Sequence, residues 1–143
     1  YVLVDMMKSV VNQGTARRVR GLGFDRPCAG KTGTTNDARD AWFIGFTPQL
    51  VTAVWVGFDH PKPLLDKNGN EITSGPAATP IWTYFMKDAL KNERYLDFTI
   101  PAGIIFEYVD PKTGEIVPQY YENAQQVALK AGTQLPVKDL ASF

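Results

Sequence analysis

The sequence predicts a mixed α/β (α+β) domain built as an antiparallel sheet flanked by helices. Two short, almost wholly apolar runs, Trp42 to Phe46 and Val51 to Phe58, are joined through Pro48-Gln49, a connection so short that the strands must be antiparallel neighbours. Two other stretches space their apolar residues at helical intervals. The 143 residues suffice for one domain, which at that length would bury about two thirds of its unfolded surface. Fifteen basic residues balance fifteen acidic ones, which removes the electrostatic case for nucleic acid or an anionic membrane surface. No apolar run approaches the ~20 residues needed to cross a bilayer. The chain starts at Tyr1, without an initiator Met or a signal peptide, and we expect it to begin inside something larger.

Taken in order, Leu3, Met6, Met7, Val10 and Val11 form one apolar stripe, predicting a helix over about 1–13 that Gly14 ends. The methionines read as core filler. Residues 15–26 hold Arg17, Arg18, Arg20 and Arg26 among glycines, expected as solvated loop charges for the most part, with a substrate role open for one. Cys28, the single cysteine, reads as a small strand residue with no base to activate it. A strand over about 28–34 is expected at the sheet edge beside Trp42 to Phe46, giving a three-stranded meander. His60, the only histidine, falls in a loop at a strand end. Lys67-Asn68-Gly69-Asn70 spells a turn. Thr79 followed by Pro80 reads as an N-cap with proline at the first helical position, opening a second helix to about Lys91 whose buried stripe includes Ile81, Trp82, Phe85, Met86, Ala89 and Leu90. Both helices are expected on one face of the sheet. Strands apolar on both faces need cover on both, and nothing in the chain is evidently available for the other. Residues 1–100 are therefore read as one part and 101–143 as a C-terminal extension, with a small hairpin of Ile104 to Val109 and Glu115 to Val117 and a short helix over Glu122 to Lys130.

The chemistry concentrates in Gly30-Lys31-Thr32-Gly33-Thr34-Thr35. On a strand, Thr32 and Thr34 share one face about two steps of ~3.3 Å apart, close enough to grip one carboxylate. Gly33 lets a ligand backbone lie close and leaves neighbouring N–H groups accessible as donors for a developing oxyanion. Lys31 adds positive potential, although alternation points it to the opposite face. A second copy, Lys112-Thr113-Gly114, lies between Asp110-Pro111 and Glu115-Ile116 and reads as a turn without chemistry. A phosphate-binding loop ending at Gly30-Lys31-Thr32 would need a glycine where Asp25 stands and a helix starting at the lysine, for which Gly33-Thr34-Thr35-Asn36 is poor material.

With its continuation through Asp40-Ala41-Trp42-Phe43 to Thr47-Pro48, the Lys-Thr-Gly stretch resembles the third motif of the penicillin-binding proteins, in their class A (bifunctional) branch. The resemblance implies part of a serine β-lactamase/transpeptidase-like fold and acyl transfer on peptidoglycan stem peptides ending in D-Ala-D-Ala, with β-lactams entering as mimics. It assigns Thr32, Gly33, Thr34 and Thr35 to substrate binding, the Thr34 backbone N–H to the oxyanion hole, and Lys31 to a hydrogen bond with a serine of the second motif. It implies no metal or organic cofactor. Ser9, Ser74 and Ser142 each lack a lysine three residues on and an asparagine two on, so the Ser-x-x-Lys and Ser-x-Asn elements are expected on an upstream segment or a second chain that also covers the bare sheet face. The chain alone is then inactive. A glycosyltransferase domain and a membrane anchor are implied upstream, with this domain outside the cytoplasmic membrane. The alternatives are a D,D-carboxypeptidase or β-lactam sensor on the same site and, remotely, a phosphate-binding domain.

Overall fold

The computed structural model describes residues 1–139; the last four positions of the expected C-terminal extension, Ser142 among them, lie outside these. The chain forms two compact units, Met7–Phe98 and Tyr1–Met6 with the chain from Thr99 onward.

The larger unit is built on a three-stranded antiparallel sheet in the order β1 (Ala29–Thr34), β2 (Ala41–Phe46), β3 (Val51–Val56). The motif strand is the edge, as the sequence predicts. β2 and β3 turn at Thr47–Leu50, where the Thr47 N–H donates to the Leu50 carbonyl at 2.9 Å. The register pairs Thr32 with Phe43 and Thr34 with Ala41, on the face where Phe43 and Ala41 are fully buried. The 16-residue helix α3 (Ser74–Ala89) packs on that face. Its Trp82 is fully buried, meets Phe43 and Phe24 edge-on at 5.2 and 5.4 Å, and donates its indole N–H to the Gly45 and Thr52 carbonyls at 3.2 Å each. Gly45 is required beneath it, because a Cβ there would lie 2.7 Å from a Trp82 ring carbon. Val11, Val19, Cys28, Met86 and Leu90 complete the core.

Several expectations are corrected. Helix α3 begins at Ser74 rather than at Pro80, which sits inside it. Pro80 removes one helical hydrogen bond, but Ser74-Gly75-Pro76 offers an earlier start with its own proline in the first turn. Thr79 is no cap: its hydroxyl donates back to the Gly75 carbonyl inside the helix. Helix α1 (Val2–Asn12) forms close to where periodicity puts it, yet Leu3 and Met6 remain 67% and 64% exposed, and only Val10 and Val11 reach the larger unit's core. The sheet face is thus covered by α3, with the short helix α2 (Arg18–Gly21) against α3. On the opposite face Trp42, Ile44 and Trp55 keep 41%, 46% and 45% of their surface.

In the smaller unit, β4 (Ile104–Val109) forms as predicted but pairs with β5 (Gln125–Lys130), the segment expected to be helical. Ala, Gln, Leu and Lys favour a helix in isolation; the pairing of Ile105 with Leu129 and Glu107 with Val127 overrides that preference. Ile116, expected in the hairpin's second strand, makes only isolated bridges to Val109 and Val137. Asp5 accepts the Ala128 N–H at 2.9 Å, which ties the first turn of α1 to β5. Trp82→Ala should cost about 3–5 kcal/mol, the range for emptying a buried aromatic site, read from chemical denaturation with Ile81→Ala, 52% exposed, as a near-neutral control.

Candidate active site

At the far end of the motif strand, the Thr35 N–H donates inward to the Asp40 carbonyl at 3.1 Å. Because alternate residues of a strand direct their main-chain groups to the same side, Thr34 and Thr32 turn theirs toward the open edge. That end of the strand is fastened by four bonds. Besides the main-chain one, the Asp40 N–H donates to Thr35 Oγ1 at 2.9 Å, Thr35 Oγ1 donates to Asp40 Oδ2 at 3.2 Å, and Trp55 Nε1 donates to Asp40 Oδ1 at 2.9 Å. The loop between them runs through Asp37 and Ala38 at φ 58° and 46°. Left-handed conformations cost L-residues about 1–2 kcal/mol each, here held by the Asp40 bonds and by the Leu64 N–H, which donates to the Ala38 carbonyl at 2.9 Å.

Helix α3 fastens the strand from its inner face. Ser74, 1% exposed, donates its hydroxyl to the Gly33 carbonyl at 2.5 Å, and its N–H donates to Thr34 Oγ1 at 3.2 Å. With the Ser74 proton so used, the 2.7 Å contact between the two hydroxyls has Thr34 as donor. Thr32 Oγ1 lies 2.6 Å from Thr15 Oγ1. Thr15, Thr32, Thr34 and Ser74 line one open pocket of about 990 Å³ together with Arg17 and Arg18. Lys31 is exposed on the other face, opposite Ile44, and its long stem brings Nζ back to the Thr32 carbonyl at 2.8 Å.

The structure therefore brings Thr32, Gly33 and Thr34 to one edge, with Lys31 curled over it. Thr35 is drawn instead into the loop closure. Sequence reasoning missed Thr15 and Ser74, which reach the motif from a distance in sequence, and Asp40, which stands within the motif's continuation. Two of the four arginines are not solvated charges. Arg20 donates to the Phe24 and Arg26 carbonyls at 2.7 and 2.8 Å and to Asn12 at 2.9 Å, and Arg26 donates to the Leu90, Glu93 and Arg94 carbonyls beyond α3 at 2.6 to 2.9 Å. His60 is exposed in a loop. Lys31 lies within a strand, followed after Thr34 by a single 3-10 turn at Asn36–Ala38, which is not the strand-to-helix geometry of a phosphate-binding loop. Among the described residues no three His, Cys, Asp or Glu side chains gather where a metal ion could be held, and no helix is long and apolar enough to cross a membrane.

An edge strand that turns main-chain donors outward beside a pair of hydroxyls and a lysine is the kind of arrangement serine acyl transferases use. The chain belongs to the family described as penicillin-binding protein transpeptidase domain, whose model matches residues 2–86. It is 42% identical over 133 residues to penicillin-binding protein 1A of Aquifex aeolicus, covering 93% of this chain and 17% of that protein. To penicillin-binding protein 1A of Pseudomonas aeruginosa it is 42% identical over 114 residues, 80% of this chain and 13% of that one. The crystal structure of penicillin-binding protein 1A from Haemophilus influenzae superposes with a TM-score of 0.76 at 28% identity, over 96% of this chain and 21% of that chain. The class A transpeptidase region and its mixed helix and antiparallel-sheet fold are thereby established. The chain spans less than a fifth of the length of these curated relatives.

Cys28 is fully buried, and burial pushes its thiol up to about 11, against a smaller opposing pull from Arg20. A folded-state value raised above the unfolded one gives stability that is present below about pH 9 and lost as pH rises toward 11. Alkylation by iodoacetamide at pH 8 should accordingly be far slower in the folded protein than in urea, and chemical denaturation midpoints should fall between pH 9 and 11 in the native sequence more than in Cys28→Ala.

Proposed function

We propose that this chain is the substrate-anchoring part of a peptidoglycan D,D-transpeptidase that works through a serine acyl-enzyme. The observation that supports this most directly is the outward-turned main chain of Thr34 at an unpaired sheet edge, beside Thr32, in a chain of the penicillin-binding transpeptidase family. The nucleophilic serine comes from the rest of a longer polypeptide. Among the described serines, Ser74 is buried and committed to Gly33, and Ser9 has no lysine three residues on. That remaining segment packs on the open sheet face of Trp42, Ile44 and Trp55, which also borders Lys31.

The stem peptide's terminal D-Ala-D-Ala lies along β1, admitted by the missing side chain of Gly33. The serine attacks the penultimate carbonyl, and the oxygen that becomes negative receives the Thr34 N–H. Such a preorganised donor is typically worth on the order of a hundredfold in rate. The terminal carboxylate takes the Thr32 hydroxyl first. The Thr34 hydroxyl joins once it leaves Ser74, and Thr35 acts through the loop it closes. Lys31, released from the Thr32 carbonyl, donates to the serine of the second motif and raises the local potential. D-Alanine departs, and the acyl group passes to an amine of a neighbouring strand. β-Lactams follow the first half of the path and stop at the acyl-enzyme. The domain works on the outer side of the cytoplasmic membrane, anchored by a segment outside this chain.

The full-length polypeptide incubated with a fluorescent penicillin should become covalently labelled, with peptide mapping placing the label outside residues 1–139. Thr32→Val should lower that acylation rate about tenfold or more, the cost of one hydrogen bond to a charged group. Absence of labelling, or a rate untouched in Thr32→Val, would overturn the proposal. Acyl transfer to an added amine, rather than to water alone, separates a transpeptidase from a carboxypeptidase or sensor.

A further inference from the structure

The four arginines between Gly14 and Cys28 divide into two pairs. Arg20 and Arg26 are spent on main-chain carbonyls of the fold. Arg17 and Arg18 are not: among the described residues neither guanidinium makes a hydrogen bond or an ion pair, and both line the pocket that contains Thr32 and Thr34. Among the described residues no acidic side chain lines that pocket. Two unneutralised cations beside a cluster of hydroxyls, with the positive end of α3 opening at Ser74, make a wall that favours an anion. Planar guanidinium groups match carboxylate geometry in particular. Arginines that served only solubility would have no reason to share a wall with the motif hydroxyls.

Resting on the transpeptidase reading above, we propose that Arg17 and Arg18 are specificity-determining residues, the cationic half of the subsite that receives the ligand's carboxylate, and that Thr15 is a positioning residue for Thr32. When the Thr15 hydroxyl donates to Thr32 across their 2.6 Å contact, the proton of Thr32 is free to point at the ligand. The arginines draw the anion in, and Thr32 fixes its orientation.

The experiment uses the full-length polypeptide and two probes, a penicillin with its free carboxylate and the methyl ester of the same penicillin. Replacing both arginines (Arg17→Gln with Arg18→Gln) should slow acylation by the free acid about tenfold at low salt and flatten its salt dependence, while the rate with the ester stays unchanged. Arg17→Lys with Arg18→Lys, which keeps the charge, should retain most of the rate and the salt dependence. Thr15→Val should slow the free acid selectively, and Thr15→Ser should restore it. Equal losses with both probes, or no loss with either, overturn the arginine assignment while leaving the transpeptidase reading intact. Failure of the wild-type protein to react with the free acid overturns both.

Discussion

Everything at the motif depends on how Trp82 holds α3 against the sheet. Its indole N–H is shared between the carbonyls of Gly45 on β2 and Thr52 on β3, and its ring is gripped edge-on by Phe43 and Phe24. A buried indole with both its polar and its apolar demands met leaves the helix one height and one roll. A helix advances about 1.5 Å per residue, so Ser74, eight residues before Trp82, is carried about 12 Å along the axis to the motif strand. The core contact therefore sets where the Ser74 hydroxyl meets Gly33 and Thr34, and the packing of the unit and the geometry of its edge are one problem.

The edge itself is held from two sides that do not compete. Ser74 engages the strand from its inner face, and the Asp40 bonds to Thr35 and Trp55 close its end. An edge strand left to itself frays, because one row of its main-chain groups is unpaired. Here that row lies beside the motif hydroxyls. Fastening the strand through side chains on its inner face and at its end leaves the Thr34 main chain unobstructed at the open edge. Thr35 is the clearest case of a residue whose neighbours suggest ligand contact and whose hydroxyl goes instead to fixing the strand.

Much of this was legible in the sequence where the signal is local. The three strands of the larger unit, their order and the motif's place at the edge follow from short connections and apolar runs, because register between neighbours is fixed by such features. The start of α3 was misread since Thr79-Pro80 imitates a cap, whereas the true start at Ser74 is chosen by bonds to Gly33 and Thr34 some forty residues earlier in the chain. β5 was misread because helix propensity is a property of the segment and strand pairing a property of its partner. Of the candidate site, the shared face of Thr32 and Thr34 about Gly33 could be read from spacing alone. Ser74 and Thr15 could not, since nothing in their own surroundings announces a hydroxyl that bonds to the motif. The arginines illustrate the same limit: four like charges in one loop divide into two that cap carbonyls and two that face a pocket, according to contacts as distant in sequence as Leu90 and Arg94.

The chain also contains the comparison that shows how little the tripeptide means by itself. Lys112-Thr113-Gly114 has the same three residues, but Asp110 takes the Lys112 and Gly114 N–H groups and Gly114 adopts φ 75°, so the segment closes as a turn. Its threonine hydroxyl is absorbed by Glu115, and Asp110 is in turn anchored by Lys138 at 2.5 Å, a bond that holds the carboxyl below its ordinary range. The main-chain donors of that copy and its threonine hydroxyl are all satisfied within a few residues. In the first copy no acidic residue stands close enough in sequence to fold the motif back on itself before Asp37, and the antiparallel partner β2 keeps it extended. The Lys31 ammonium still reaches the Thr32 carbonyl, but the outward-turned main-chain donors of the strand meet no such local acceptor. What distinguishes an extended Lys-Thr-Gly from one closed into a turn is therefore the absence of an early local acceptor and the presence of a sheet neighbour, conditions written in the flanking residues rather than in the motif.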